Sequence, residues 1–242
     1  MLTTGIDLAA QPKNTASCTI HWSEGRAEVV GLVLDGVDDE KFLRLLGEAD
    51  KVGVDVPFGW PERFIEAITA NRGGGLWPDG TTLGLRFRVT DLYVQEQTGS
   101  WPLSVSSDRI AITAIRAARL FSRLPKPVDR TGEGVVVEVY PAAALRRWEF
   151  DPLGYKRGKG IEVRRRLVGT FRERTATWLT LSPDYWEAII RSDDAFDSLV
   201  AALVARASAI GLCDPCPNPI REDAVREGWI ALPFPRSLDH LT

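Results

Sequence analysis

Acidic residues interrupt three apolar, strand-like segments of the sequence, where charge is normally excluded. Asp7 follows Thr-Gly-Ile, Asp55 lies within Val-Gly-Val-Asp-Val-Pro, and Glu138 lies within Val-Val-Val-Glu-Val-Tyr-Pro. A buried carboxylate without a partner is costly, so each acid is expected to be paired, protonated or turned toward a cleft. For each acid taken alone, the alternative is a structural carboxylate that accepts hydrogen bonds from a backbone amide or an arginine.

A further acidic group begins a long segment with helical spacing of its apolar residues. Asp193, Asp194 and Asp197 lie at the start of the helix predicted over about 194–210. Because Asp194 and Asp197 are three positions apart, they lie on neighbouring turns of one helix face. For Asp193 a helix-capping role is favoured, since acids at a helix N-terminus also stabilise the macrodipole.

Together these acids are typical ligands for one or two hard divalent cations, Mg²⁺ or Mn²⁺. Asp55 and Glu138 each precede a proline by two or three residues, which predicts positions near the carboxyl ends of their strands, where open α/β sheets bind ligands. Two such cations position a water for in-line attack on a phosphodiester and stabilise the leaving oxygen. The two histidines, His21 and His240, are far apart in the sequence and indicate no competing metal site.

The segments that carry these acids predict an α/β fold with a mixed sheet. Short apolar and β-branched runs at 3–8, 17–22 and 27–34 are separated by turn residues, which predicts three antiparallel strands. A helical pattern then leads to a strand at 51–56, and a helix between two strands favours parallel pairing. The run 134–140 is apolar on both faces apart from its glutamate, so a central strand is predicted there.

Length and composition favour one domain whose sheet is flanked by helices. The 242 residues are 44% hydrophobic and 26% charged, which is enough to bury a substantial core in a single domain over 1–242. Glycine and proline clusters predict a long loop insertion at about 71–106, and loops of this length in compact domains are usually functional or mobile. A helix is predicted over 161–179, with its arginines, Arg164 among them, largely outward.

Six motifs follow one another along almost the whole chain. They are Gly5-Ile6-Asp7, Val54-Asp55-Val56-Pro57-Phe58-Gly59, Arg88-Val89-Thr90-Asp91, Glu138-Val139-Tyr140-Pro141-Ala142-Ala143, the stretch from Asp194-Ala195-Phe196-Asp197 to Ala202, and Glu227-Gly228-Trp229-Ile230. As an ordered set they resemble an uncharacterised family of predicted RNase H-like nucleases, domain-of-unknown-function family 429. More distantly, the acid on the first strand, the acid on a later strand and the Asp-x-x-Asp helix start are similar to the metal site of Holliday-junction resolvases and related RNase H-fold enzymes.

The resemblance implies a single RNase H-like domain and a metal-dependent nuclease that hydrolyses phosphodiester bonds of DNA or RNA. Carried onto this sequence, it implies that the catalytic metal ligands are Asp7, one of Glu138 and Asp55, and one of Asp194 and Asp197. Which acid of each pair binds the metal stays open, because the other acid can orient water or a neighbouring side chain. The choice of DNA or RNA, endo- or exonucleolytic action, the number of metal ions and the oligomeric state stay open as well.

Polar and basic residues outside the acidic set are candidates for substrate binding. Arg88, Thr90 and Asp91 lie within the predicted loop, and the resemblance suggests that this loop approaches the site, where Arg88 would clamp a phosphate. The alternative is an internal loop brace. Lys156 and Lys159 lie in a mobile, glycine-containing basic turn that is placed to touch a phosphate backbone, and a solvated turn is the alternative.

Charge and composition exclude a membrane protein and indicate the cytoplasm. No apolar run approaches the roughly 18 residues that a membrane span needs. The N-terminus has no basic segment of the kind that begins a secretory signal, and three cysteines are too few for a disulfide framework. The net charge is −3, yet residues 141–180 carry ten Lys/Arg against four Asp/Glu. This basic segment is compatible with a phosphate-bearing partner on one face of the protein, or with a solvated helix face.

Two other functions fit parts of the pattern. A phosphotransferase of the actin and sugar-kinase fold also carries Gly-x-Asp in its first hairpin and binds ATP. Against this function, the sequence has no later glycine-rich loop that would bind adenosine, and the chain is short for the two lobes of that fold. A non-catalytic binding module would require the acids to be dispersed or paired with arginines. ATP binding would favour the first function, and absence of divalent-metal binding would favour the second.

Overall fold

A computed structural model describes residues 1–77 and 82–242 of the chain. The strands are β1 (Leu2–Asp7), β2 (Ala16–Ser23), β3 (Arg26–Val33), β4 (Lys51–Asp55), β5 (Val136–Glu138) and β6 (Leu179–Thr180). The helices are α1 (Asp39–Glu48), α2 (Glu62–Arg72), α3 (Thr82–Arg86), α4 (Val89–Thr98), α5 (Ile110–Phe121), α6 (Pro141–Arg147), α7 (Ile161–Thr175), α8 (Pro183–Arg191), α9 (Asp193–Ala209) and α10 (Arg221–Glu227).

The strands form a mixed sheet in the order β5-β4-β1-β2-β3-β6. β1, β2 and β3 pair antiparallel, whereas β4 runs parallel to β1 and β5 runs parallel to β4. The prediction of a mixed α/β sheet with three antiparallel strands first, flanked by helices, is confirmed. Because β1, β4 and β5 are parallel, their carboxyl ends meet at one edge of the sheet.

Helices α1 and α5 cover one face of the sheet. Ile6 of β1 and Val54 of β4 point to this face and are fully buried. They belong to one apolar cluster with Phe42 of α1 and Leu120 of α5. The alternate residues of the same two strands therefore face the other side, where α9 lies.

Helix α9 is the central element of the opposite face. Phe196, Leu199 and Leu203 have no exposed surface, and they share a second apolar cluster with Ile20 of β2 and Phe171 of α7. The apolar spacing predicted for this helix is confirmed, with its bounds shifted by one residue. Its position against β1 and β4 fixes where its first turn meets the sheet edge.

Strand β5 differs from the central strand that was predicted over 134–140. It comprises only Val136–Glu138 and stands at one end of the strand order. It is buried nevertheless, because Glu138 forms a parallel bridge with Ile230 and accepts a backbone hydrogen bond from Ala231. An edge strand covered by irregular backbone has the same apolar pattern as a central strand, so the pattern does not separate the two.

The prediction of a long loop over 71–106 is wrong for two stretches of this segment, because they form the helices α3 and α4. Glycine and proline clusters surround both helices and hide them in the sequence pattern. The start of α4 is stabilised by Asp91, whose carboxylate accepts a hydrogen bond from the Arg88 N–H at 3.0 Å. Residues 78–81 of the predicted loop lie outside the described residues.

No helix within residues 1–77 and 82–242 combines the length and the apolar character that a span through a bilayer requires.

Candidate functional site

Asp7 and Asp55 lie opposite each other at the carboxyl ends of β1 and β4. Asp7 and Asp55 are paired with each other in the parallel register of the two strands. Two residues earlier in each strand, Gly5 is paired with Gly53 in the same way. Because side chains alternate across a strand, each aspartate lies on the same sheet face as the glycine two residues before it. Both aspartate side chains are partly buried.

The two glycines allow α9 to lie directly on the sheet. A Cβ atom on Gly5 would overlap the backbone oxygen of Ser198, and a Cβ atom on Gly53 would overlap that of Ala201. Glycine is needed here because two backbones approach closely. The helix therefore crosses the face on which both aspartates lie.

The first turn of α9 brings further carboxylates to this edge. Ser192 caps the helix by accepting a hydrogen bond from the Ala195 N–H at 3.1 Å, so the cap is Ser192 and not Asp193 as predicted. The charge of Asp194 raises the pKa of Asp7, and Asp7 in turn affects the pKa of Asp194. The acid of the first strand and an acid of the helix start therefore lie near each other.

Asp197 lies one turn further along α9 and is 1% exposed. Its Oδ1 accepts a hydrogen bond from the Tyr155 hydroxyl at 2.5 Å. Its Oδ2 lies 2.7 Å from the Nζ of Lys156. Lys156, which was predicted to bind substrate from a basic turn, therefore places its ammonium group beside the acidic cluster.

Burial and mutual repulsion raise the pKa values of the acids. Burial raises the pKa of Asp7 well above its usual range, and the charges of Asp55 and Asp197 add to the rise. Burial likewise raises the pKa of Asp55 to about 7, although Lys156 opposes the rise. Burial by itself lowers the pKa of Lys156, but the carboxylates outweigh it and hold that pKa well above its ordinary value. Four carboxyl groups thus share one ammonium group, and burial together with mutual repulsion disfavours the ionisation of Asp7, Asp55 and Asp194.

Glu138 lies at the same sheet edge but is engaged by an arginine. Arg88 donates to both carboxylate oxygens, at 2.6 and 2.8 Å, and the Phe58 N–H donates to Oε2 at 2.9 Å. Glu138 is 2% exposed. The prediction that Glu138 is a metal ligand does not fit this arrangement, because both of its oxygens already accept charged hydrogen bonds. Of the pair Glu138 and Asp55, it is Asp55 that faces the other acids.

Arg88, Thr90 and Asp91 form an internal brace. Arg88 is 1% exposed and pairs with Asp91 at 2.8 Å in addition to Glu138. The Oγ1 of Thr90 accepts a hydrogen bond from the Ile230 N–H at 2.8 Å. The expected phosphate clamp is corrected accordingly, because two buried carboxylates already hold the Arg88 guanidinium.

The role of Glu227 was missed from the sequence, although its motif was noted. Its carboxylate accepts hydrogen bonds from the N–H groups of Glu62 and Val89, both at 2.7 Å, and so joins the starts of α2 and α4. The next residue, Gly228, has a φ angle of 101° and packs against Glu138. An acid before a glycine is too common in sequences to indicate such a role.

Arg164 holds the segment that carries Lys156. Its guanidinium is 1% exposed, and the predicted outward orientation is wrong. It donates to four backbone carbonyls, those of Tyr155, Arg157, Ile190 and Arg191. Leu167 and Phe171 follow Arg164 by three and seven positions and are buried, which is the signal in the sequence that places Arg164 on the inner face. Lys159, the other lysine predicted to bind substrate, is exposed.

A cavity of about 110 Å³ opens beside Asp55. Its polar wall includes Lys156 and Tyr140, and its apolar wall includes Leu103 and Ile110. Since a water molecule takes about 30 Å³, the cavity has room for a few waters or one small group such as a phosphoryl group.

The donor chemistry of Asp7, Asp55 and Asp194 fits a hard divalent cation, which prefers carboxylate oxygens. Their present orientation is not that of a finished site: across 1–77 and 82–242, no three Asp, Glu, His or Cys side chains are placed to hold one metal ion. Asp197 and Glu138 are each held by a basic residue. Metal binding at this edge would therefore involve rotation of the remaining three carboxylates toward a common point.

Comparison with known proteins assigns the family of the chain, but it gives no activity, substrate or fold relationship. No curated protein and no solved structure matches the chain. The model of the family described as protein of unknown function (DUF429) matches residues 5–222, which include the four aspartates of the cluster. The chain belongs to this family, which confirms the family predicted from the ordered motifs.

Proposed function

We propose that this member of the DUF429 family is a divalent-metal-dependent hydrolase with an RNase H-like fold that cleaves phosphodiester bonds of a nucleic acid. The observation that carries the proposal is the pairing of Asp7 with Asp55 at the carboxyl ends of two parallel strands, beneath the acidic first turn of α9. An antiparallel β1-β2-β3 meander joined through β1 to parallel β4 and β5 is the sheet that an RNase H-like fold would have.

The proposal assigns the metal ligands to the sheet and to the helix. Asp7 and Asp55 would hold Mg²⁺ or Mn²⁺ from the sheet, and Asp194 would hold it from α9. Such a cation, when bound, supplies Lewis-acid activation and neutralises phosphate charge. The raised pKa values of Asp7 and Asp55 support a cation here, because these carboxylates repel one another without further positive charge.

The remaining residues of the site would bind and orient the substrate. The cavity beside Asp55 would receive the scissile phosphate, and Lys156, whose side chain is 47% exposed, would face it from the polar wall. The apolar wall at Leu103 and Ile110 would exclude water from one side of the phosphate. Exposed Lys159 would contact the phosphate backbone outside the cavity.

The test is cleavage of labelled single- and double-stranded DNA and RNA with Mg²⁺ or Mn²⁺ and with excess chelator. Asp7→Asn should lower metal-dependent cleavage by at least about 100-fold, since a metal ligand contributes several kcal/mol to transition-state stabilisation. Asp184→Asn, a change of the same kind at an exposed position of α8, should cleave like the wild type. Equal cleavage in chelator, or normal cleavage by the Asp7 variant, would contradict the mechanism.

A further inference from the structure

Lys156 brings a positive charge into the acidic cluster from outside the sheet and α9. Its Nζ lies 2.7 Å from Asp197 Oδ2. The same side chain lines the cavity beside Asp55. Its charge also acts on Asp7 and Asp194, whose pKa values it lowers against the larger effect of burial.

The backbone around Lys156 is fixed in this position. The Arg157 N–H donates to Asp193 Oδ2 at 2.9 Å and ties the segment to the start of α9. Arg164 donates one hydrogen bond to the Tyr155 carbonyl, next to Lys156. It donates another, at 2.8 Å, to the Ile190 carbonyl at the end of α8. These hydrogen bonds hold the segment against α8 and the start of α9, and they pre-organise the Lys156 side chain between the two helices.

Asp197 differs from the other acids because a basic residue forms an ion pair with it, although its buried Oδ2 accepts no hydrogen bond of good geometry within the described residues. Tyr155 donates to Oδ1 and Lys156 pairs with Oδ2. Within the described residues, no lysine, arginine or histidine side chain forms an ion pair with Asp7, Asp55 or Asp194. The four aspartates therefore divide into one that is neutralised by the protein and three that are not.

We propose that Lys156 is a tethered counter-ion of the acidic site. Its ammonium group pairs with Asp197 and keeps this carboxylate out of metal coordination, so that a divalent cation binds to Asp7, Asp55 and Asp194. This inference rests on the proposed metal site, and it settles which acid of the Asp194 and Asp197 pair would be a ligand. It also makes Lys156 a repulsive neighbour of the cation, which lowers metal affinity.

The test measures Mn²⁺ binding by calorimetry in full-length protein, with thermal unfolding as a check that each variant folds. Lys156→Met should bind Mn²⁺ at least about tenfold more tightly than the wild type, because it removes a like charge beside the proposed site. The double variant Lys156→Met/Asp197→Asn removes the ion pair without changing the net charge and should bind within about threefold of the wild type. Lys126→Met, at an exposed position in the turn after α5, should bind like the wild type.

The binding measurements distinguish a failure of this inference from a failure of the proposed metal site. If the wild type binds Mn²⁺ and the double variant loses binding as completely as Asp7→Asn, then Asp197 is a ligand and the inference is wrong, although the metal site stands. Equal affinity of the wild type and Lys156→Met would also overturn it. If the folded wild type binds no Mn²⁺, the proposed function fails together with the inference.

Discussion

Asp7 and Asp55 are register partners on adjacent parallel strands, and each follows by two residues a glycine that touches the backbone of α9. One helix therefore packs on both strands and brings its own aspartates to theirs. The position of the acidic cluster depends on a backbone contact between sheet and helix, and this contact can be tested separately from the chemistry.

Substitution of Gly5 tests the contact between β1 and α9. Gly5→Ala should lower the free energy of unfolding by about 3 kcal/mol or more, because its Cβ would overlap the backbone oxygen of Ser198, which cannot rotate away. Gly169→Ala is the matched control, since Gly169 lies on the exposed side of α7 with open space around a Cβ. It should raise stability by about 0.8–1 kcal/mol. Urea unfolding measures both changes, and a neutral Gly5→Ala would disprove the close packing.

The pH dependence of stability tests the burial of Asp55. The pKa of Asp55 is raised from 3.8 to about 7, mainly by burial, so the folded state binds a proton that the unfolded state has released. Its contribution to stability is thus fully present below about pH 4 and is lost as the pH rises through about 7. With chelator present, Asp55→Asn should be more stable than the wild type at about pH 8, and the difference should shrink toward about pH 5. A difference that does not change with pH would show that Asp55 is not buried among charges.

The brace around Arg88 is the subject of a third prediction. Arg88→Met should cost about 3–5 kcal/mol of unfolding free energy, because it leaves Glu138 and Asp91 buried without a cation. Arg123→Met removes an exposed pair with Glu40 and should cost less than about 1 kcal/mol. Chemical denaturation gives both values. If Arg88→Met unfolds like the wild type but binds nucleic acid more weakly, Arg88 is a substrate clamp after all.

The hydrogen bond between Tyr155 and Asp197 leads to a fourth prediction. Tyr155→Phe should lower the unfolding free energy by about 1.5–3 kcal/mol, since a buried carboxylate loses a donor at 2.5 Å. Tyr185→Phe is the control, because Tyr185 is only partly buried on α8. Thermal unfolding in chelator compares the two variants. Equal stability of Tyr155→Phe and the wild type would mean that another donor satisfies Asp197.

The acids of the cluster could be predicted from the sequence because charge is rare in apolar strands. Asp7 and Asp55 interrupt runs of valine, isoleucine and glycine, and Asp194 begins a helix with clear apolar spacing. Because β1 and β4 are parallel, Asp7 and Asp55 at their carboxyl ends lie at the same edge of the sheet. The same reasoning predicted Glu138 as an equal candidate, because a strand pattern does not show that an arginine 50 positions earlier reaches the carboxylate.

The basic and aromatic residues around the cluster could not be predicted in the same way. Tyr155 and Lys156 lie in an irregular segment without periodicity, and only the folded chain brings them to Asp197. Helices α3 and α4 were hidden by the glycines and prolines around them. Contacts between residues distant in sequence depend on tertiary packing, which local patterns do not contain.

Anomalous diffraction from a crystal soaked in Mn²⁺ tests the central claim most directly. The account predicts one or two peaks at the sheet edge, with carboxylate oxygens of Asp7, Asp55 and Asp194 at about 2.0–2.3 Å, and no peak in the Asp7→Asn protein. The absence of a peak at this edge in a soaked crystal that carries manganese elsewhere would contradict it. The acids would then be structural, and the chain would hold no catalytic metal at this place.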